Sequence, residues 1–562
     1  MSKIVRVDMT NLKSTTEDSP KEYELLGGRG LSARILNREV DPTCHPLGKY
    51  NKLIFALGLL AGSVFPSTGR ISVGAKSPLT QGIKESNVGG TAGDKLGRLG
   101  IKAIIVEGQP AEGKFYILKI TKDGVTIMPA DDLAGLNNFA TVERLLDAHG
   151  KDVGILSIAT TGERKMAMAS VACIGIDGRP SRHAARGGLG AVMGAKGVKA
   201  IVVDDAGAKP IAAKNEAALQ KVMKDYTKIL NETKAPILMR QHGTLGGLTW
   251  ISDKNMSLPT RNFTSGSFES AAQIGSKAVT ELMTSRGGEY SLRCMPGCIL
   301  RCSNAFVDKE GNFVTGPMEF ETAAMLGANL GIGDIDAIAV MTKLCDDYGL
   351  DTIEAGVTLG VATDAGLLEF GDSARAIDLL HEIGKGTSLG RILGQGTAVT
   401  ARVFGISRVP VVKGQGVPAH EPRVENGSGV TYCTSAQGAD HTAGLVYHRG
   451  TPAEAIERSK KRQINMAIID TIDICSFASI ESEVPMEMWA EILNAQNGSN
   501  LSLEDLQEMG KAVLKEERAF NQKAGFTNAA DRLPEFFKEV PLPPKGLVFD
   551  VSDSEIDAFW DF

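Results

Sequence analysis

Three cysteines fall within nine residues, in the run Cys294-Met-Pro-Gly-Cys298-Ile-Leu-Arg-Cys302. Thiolates at that density ask for a metal, and iron–sulfur clusters are commonly held by several cysteines of one segment plus a remote one. A spacing of four would align the three on one helix face, but eight residues of helix rise about 12 Å, too far for one cluster. Pro296-Gly297 inside the run opposes a regular helix and favours a loop that wraps back. Zinc is the competing metal, yet its paired C-x-x-C or Cys/His spacing is missing. The bland alternative is three buried thiols without metal. The other cysteines are Cys44, Cys173, Cys345, Cys433 and Cys475. Cys475 can supply a fourth ligand, and on spacing alone Cys345 or Cys433 serves equally well.

Two glycine loops carry a second kind of chemistry. The segment SRHAARGGLGAVMGAKGVKAIVV, residues 181–203, sets Gly187, Gly188, Gly190 and Gly194 close to Arg179, Arg182 and Arg186. Backbone N–H groups that a ligand can approach, next to guanidinium forks, suit phosphate. The spacing of Gly188, Gly190 and Gly194 is G-x-G-x-x-x-G without a clear strand before it, so a dinucleotide fingerprint is rejected, and no Walker A loop is present. The second loop, Glu85-Ser-Asn87-Val-Gly89-Gly90, follows a strand that begins at Arg70. Taken singly, each loop reads more readily as a plain turn.

These residues need elements to hold them. A chain of 562 residues is too long for one core and predicts two to four domains. Its 43% hydrophobic and 23% charged residues are ordinary for a globular protein. Glycine, at 64 residues, is in excess and points to tight turns and close backbone approaches. The net charge of -6 gives no electrostatic case for nucleic acid. No apolar run reaches the roughly 18 residues of a membrane span, and the N-terminus lacks a signal core. A cytoplasmic protein without disulfides is expected.

MSKIVRVDM, KLIFALGLL, RISVGAK, AIIVEGQ, FYILKI and AIVVDD read as strands. After Lys209-Pro210 the pattern turns helical, in AALQKVMKDYTKILNET, AIAVMTKLCDDYG and ARAIDLLHEIG. From about residue 411 a glycine-rich loop region leads to more helices, among them PAEAIERSKKRQINMAIIDTI and LEDLQEMGKAVLKEERAFNQKAG. The expected fold is α+β: a β-rich domain over 1–207, then two mainly helical domains over 208–410 and 411–562. No internal repeat is read.

The combination resembles the tungsten-containing aldehyde ferredoxin oxidoreductase family. The resemblance runs from LLGGRGLSARIL to FNQKAGFTNAADRLPEFF, through TGRISVGAKSPLTQGI, SNVGG, ARGGLGAVMGAKGVKAI, TGPMEFETAAMLGANLGI, LCDDYGLDT and DTIDIC. It implies a tungsten or molybdenum ion held by two molybdopterin cofactors over the β base, with a [4Fe–4S] cluster alongside. Arg70, Asn87, Gly89 and Gly90 match positions that contact pterin phosphates or a bridging Mg2+. Arg182 and His183 match a second such pair. Asp346, Gly349, Leu350 and Asp351 match pterin-ring contacts. Asp470 matches the aspartate of a D-x-x-G-L-C motif whose cysteine is Cys475, which selects Cys475 as the cluster's fourth ligand.

Glu321 and His441 match the ionisable pair that faces the metal, a pairing suited to proton transfer. By residue type alone they read as a helix N-terminal carboxylate and a loop histidine. The implied activity is oxidation of an aldehyde to a carboxylate, with electrons leaving through the cluster to a ferredoxin or a ferredoxin-like subunit. The alternatives are low-potential reduction of an acid or thioester on the same cofactor, and a non-catalytic electron-transfer subunit.

The chain also departs from the family pattern. Ser291 stands where a first cluster cysteine is usual, and Cys302 is expected to replace it. Asp473 and Ile474 replace the Gly-Leu of the last motif, and Ala443 replaces a pterin-contacting lysine. Val340-Met-Thr-Lys343 replaces the Glu-x-x-His pair of a subunit-bridging iron, so that iron and its dimer are not implied. Another homo-oligomer stays open, as do the choice of metal and of aldehyde.

Overall fold

The computed structural model describes residues 2–562. Residues 3 to 205 form a β-rich base and the rest is mostly helical, so the fold is α+β. The base holds two six-stranded sheets. The first is built from β1 (Lys3–Asp8), β2 (Lys13–Asp18), β3 (Leu53–Leu57), β4 (Ile71–Lys76), β5 (Ile83–Val88) and β6 (Ile101–Glu107), in the order β2-β1-β6-β3-β4-β5. The second is built from β7 (Tyr116–Thr121), β8 (Gly124–Pro129), β9 (Gly154–Ser157), β10 (Val171–Cys173), β11 (Arg182–Ala184) and β12 (Val198–Val203). Its order is β8-β7-β12-β9-β10-β11.

The two orders are the same order. β1–β6 and β7–β12 run parallel, and the other pairings in each sheet are antiparallel. Helices Gly28–Glu39 and Asn138–His149 occupy equivalent connections, as do Ala92–Arg98 and Leu189–Ala195. The base is therefore an internal duplication, which corrects the expectation of no repeat. Its clearest trace is Gly90-x-x-Gly93-x-x-x-Gly97-x-x-Gly100-Ile-Lys-Ala-Ile against Gly187-x-x-Gly190-x-x-x-Gly194-x-x-Gly197-Val-Lys-Ala-Ile. The shared glycines have a shared reason. A Cβ on Gly93 would come 2.0 Å from the Gly69 carbonyl, and one on Gly190 would come 2.2 Å from that of Ser170. Both helices press backbone against backbone. Outside this stretch the halves share mainly apolar strand patterning, which reveals no repeat by itself.

One core lies between the sheets, where Phe55, Val73 and Ile104 meet Leu118, Leu156 and Ile201. Each such side chain contributes about 1.5–3 kcal/mol by leaving water. The helical part has two further large cores. One joins Leu219, Tyr226, Met295 and Leu300 to Ile468, Trp489 and Val513. The other joins Leu248, Phe320, Met325 and Val357 to Tyr432 and Phe537. Each core takes residues from both sides of residue 410. The 411–450 segment, read as loops, contains the fully buried helix Asn426–Thr434. Its glycines, threonines and other small polar residues hide its helical period, because the helix is buried all round rather than on one apolar face. Among the described residues no single helix is long and apolar enough to cross a membrane.

Candidate functional site

The cysteine run is not helical. It loops between β13 (Glu289–Leu292) and β14 (Ser303–Val307). Cys298 Sγ accepts from Arg301 N–H at 3.4 Å, and Cys298, Cys302 and Cys475 are near enough to act on the Cys294 thiol or feel it. Cys475 arrives from the end of the long helix Pro452–Ile472, which starts on a Thr451/Glu454 capping box. Ser67 of the base ties the two segments together. Its N–H donates to Gly297 O at 3.2 Å, its carbonyl accepts from Cys475 N–H at 3.1 Å, and its hydroxyl accepts from Ile299 N–H at 3.4 Å. Behind Cys475, Tyr226 donates its hydroxyl to Ala478 O at 2.9 Å and sits between Phe65 and Trp489, with ring centroids 5.0 and 5.6 Å away.

The hydrogen bond from Cys298, with the charges of Arg182 and Arg70, pulls the Cys294 thiol down to about 5. That same hydrogen bond pushes Cys298 up, and burial pushes Cys302 and Cys475 up. Four gathered thiols thus ionise together only against strong positive charge, which bound iron supplies. Among the described residues no three His, Cys, Asp or Glu side chains close round a single metal ion.

Arg70 sits at the entry of β4, and its Nε donates to the Asn87 amide oxygen. Asn87 in turn donates to Asp473 Oδ1. Asp473 caps the long helix in the left-handed region, at φ 65°, where glycine is usual and aspartate is tolerated. Burial pushes Asp473 up to about 7 and Asp470 up to about 6. Asp470 accepts from Arg29 at 3.2 Å, and Arg29 forks onto Glu517 at 2.7 and 2.8 Å. Gly89 and Gly90 follow β5. A Cβ on Gly90, at φ 118°, would come 2.5 Å from Cys173 Sγ, so only glycine fits.

The second half of the base repeats the plan with other partners. Arg182 donates to Ser303 Oγ at 2.6 Å. His183 Nδ1 meets Ser170 Oγ at 2.8 Å, and its Nε2 lies 3.3 Å from Asp346 without a hydrogen bond. Gly349 ends the helix Ile335–Tyr348 at φ 67° and accepts from Ser170 N–H at 2.8 Å. Leu350 bridges to Ala169 in antiparallel register. Asp351 caps the following helix through Ile353 N–H at 2.9 Å and accepts from Arg186 Nε at 3.2 Å. The Cys345–Asp351 run is therefore seated on the base. β5 and β11, the edge strands that carry Asn87 and His183, lie against each other.

Glu321 lies in the first turn of the helix Phe320–Leu326. Its Oε2 accepts from Ala419 N–H at 2.8 Å. Its Oε1 is buried without a hydrogen-bond partner, 3.6 Å from His441 Nε2 and 3.5 Å from His420 Nε2. The two imidazoles stack at 6.1 Å between centroids. Burial holds the His441 pKa below its ordinary value, so this ring is neutral at neutral pH. Burial acts the same way on His420, but Glu425 and Glu321 outweigh it and raise its pKa. Glu425 is fully buried and accepts from His420 Nδ1 at 3.1 Å and from Ser257 Oγ at 2.7 Å. His441 is placed by the base: Lys84 pairs with Asp440, and Arg186 donates to Ala439 O at 2.6 Å.

His420 and Glu425 are absent from the sequence-derived set. The available signal was thin, a histidine next to an acid in His420-Glu421, as in Asp440-His441. Glu421 is engaged by Arg423 instead, at 2.8 Å.

Two family models cover almost the whole chain: "Aldehyde ferredoxin oxidoreductase, N-terminal domain" over residues 4–205, and "Aldehyde ferredoxin oxidoreductase, domains 2 & 3" over residues 221–561. A tungsten-containing aldehyde ferredoxin oxidoreductase of Thermococcus kodakarensis is 33% identical, covering 96% of this chain and 92% of its own. An aliphatic sulfonate oxidoreductase, WOR-like subunit, of Pyrococcus furiosus is 27% identical, covering 96% and 90%. In three dimensions the chain is similar to a chain of the active-site complex BamBC of benzoyl coenzyme A reductase. The TM-score is 0.82 at 21% identity, with 100% of this chain and 93% of that one covered. The fold and the matched models define an oxidoreductase. The chain belongs to the aldehyde ferredoxin oxidoreductase family. Membership implies a tungsten- or molybdenum-pterin cofactor and an iron–sulfur cluster.

Proposed function

We propose that the protein oxidises an aldehyde to a carboxylate with an oxygen from water and passes the electrons to a ferredoxin-type acceptor. The observation that carries this is the unpartnered Glu321 Oε1, faced by two imidazole Nε2 atoms within 3.6 Å.

The residues present fit the implied groups. Cys294, Cys298, Cys302 and Cys475 would hold a [4Fe–4S] cluster. Arg70, Asn87, Gly89, Gly90 and Asp470 would take one pterin, and Arg182, His183, Asp346, Gly349, Leu350 and Asp351 the other. Mg2+ would be held by Asn87 and the His183 backbone, on the two strands that meet at the β5–β11 contact. Buried polar atoms without partners support the fit: Asp473 Oδ2 and Glu85 Oε1 on one side, Arg182 Nε and His183 Nε2 on the other. A bound tungsten or molybdenum bis-pterin centre supplies the two-electron oxidation and the oxygen-transfer chemistry.

The chain's own part is proton handling and positioning. Glu321 takes a proton from the attacking water at Oε1. Neutral His441 donates a hydrogen bond from Nε2 to the substrate oxygen, which fixes its other tautomer position at the partnerless Nδ1. His420, oriented by Glu425, receives the proton from Glu321 and clears the carboxylate for the next turnover. A charged His420 also suits proton delivery to a substrate, so reduction of an acid or thioester is the second reading. Assays with oxidising and with reducing dyes separate the two.

Glu321→Gln tests the assignment. Tungsten or molybdenum and iron should stay at wild-type content while turnover falls roughly 10³-fold. Full activity with Glu321→Gln would overturn the role given to this carboxylate.

A further inference from the structure

The cysteine loop is also an outer surface. Arg293, Gly297 and Arg301 are exposed, and Cys298 is buried directly beneath them. An open groove of about 380 Å³ runs over this loop, with Arg240, Arg293 and Arg301 on its rim and Cys298 in its wall. Thr227 and Asn231 of the helix Glu216–Glu232 also line it, and no carboxylate does. Arg240 is pinned in place: it donates to Asn231 Oδ1 at 2.9 Å and to Ile299 O at 3.4 Å, both uncharged acceptors. Its Nε is buried without a partner. Lys224 is exposed one helical turn before Thr227 and two before Asn231, on the same face.

This local charge runs against a chain whose net charge is -6. Three guanidinium groups without a carboxylate among them repel one another, and an anionic surface would relieve that repulsion and steer approach. The groove wall includes a thiol of the proposed cluster, so an occupant of the groove sits beside the point where electrons leave.

We infer that this groove is the docking site of an acidic, one-electron iron–sulfur carrier protein. The inference rests on the reading of the four cysteines as cluster ligands. The redox balance is RCHO + H2O → RCOO⁻ + 3 H⁺ + 2 e⁻, so each turnover reduces two oxidised carriers, one after the other. The carrier's carboxylates meet Arg293 and Arg301 while Gly297, lacking a side chain, lets the carrier approach the Cys298 backbone.

The test uses anaerobic holoenzyme, an acidic [4Fe–4S] ferredoxin and a neutral quinone dye. Binding of the ferredoxin is measured by calorimetry, apart from turnover. The double variant Arg293→Glu/Arg301→Glu should weaken binding roughly 10-fold or more and abolish its salt dependence. Quinone-linked turnover should hold, and Arg293→Lys/Arg301→Lys should restore binding. Unchanged ferredoxin affinity in the charge-reversed variant overturns the docking site, as does a wild type that binds no ferredoxin. Saturable binding of inorganic phosphate in the groove with ferredoxin affinity unaffected overturns it in favour of a small-anion site. Loss of quinone-linked turnover in the wild type itself would count against the catalytic reading instead, because the calorimetric result does not depend on it.

Discussion

The thiol loop and the Glu321 pocket are built from opposite materials. The thiol loop is one short segment joined to one helix end, held through backbone hydrogen bonds to Ser67 and roofed by exposed arginines. The pocket takes four side chains from three places in the chain, Glu321, the pair His420 and Glu425, and His441, and its second ring of partners is charged and buried. The first arrangement suits soft ligands close to a surface, which is what electron exit needs. The second suits proton transfer away from bulk water. Damage to one site should therefore leave a measurable remnant of the other.

The largest separation comes from Cys475→Ser. It should take iron from about four per chain to a small fraction of that and abolish ferredoxin-linked turnover. The Glu321–His420–His441 geometry has no contact with it, so substrate protection of His420 against histidine-modifying reagents should survive. Retention of full iron content in this variant would break the comparison at its first term.

His420→Gln tests the other side. Turnover should fall roughly 10²-fold with iron unchanged. Against burial, Glu425 and Glu321 hold the His420 pKa above the ordinary value of about 6.5, so the stabilisation of its protonated form is complete below that pH and is lost as pH rises through the folded-state value. The gap in Tm between wild type and His420→Gln should therefore be widest near pH 6 and narrow above neutrality. A constant gap from pH 6 to pH 9 would mean that Glu425 and Glu321 do not raise the pKa of the ring.

The smallest effect concerns the base under the pocket. A Cβ on Gly187, at φ 85°, would lie 2.3 Å from Lys84 Cγ, whereas one on Gly113, at φ 75°, meets nothing within 4 Å. Both alanine variants store backbone strain of about 1–3 kcal/mol, and only Gly187→Ala also displaces the lysine that holds Asp440. Denaturation should place Gly187→Ala below Gly113→Ala by about 1 kcal/mol or more. Equal stabilities would show that Lys84 yields freely.

The same contrast explains what the sequence revealed. The thiol site is legible because three of its groups lie on one loop whose Pro296-Gly297 rules out a helix. The main strands and long helices are legible because each buries one face or a whole apolar run. The pocket is not legible by residue type: His420 and Glu425 acquire meaning only when the fold brings them to Glu321, about a hundred residues earlier. The duplication of the base left its mark in the matched glycines of Gly90–Gly100 and Gly187–Gly197, where close packing permits nothing else. Elsewhere in the two sheets many side chains satisfy the same core, and the likeness has drifted out of sight.

The most direct test of a cluster beside a pterin-held metal is elemental analysis of anaerobically purified protein from cells supplied with both tungsten and molybdenum. About four irons and one tungsten or molybdenum per chain are expected. Four irons with neither heavy metal would contradict the pterin site, and protein free of iron would contradict the thiol cluster on which the rest is built.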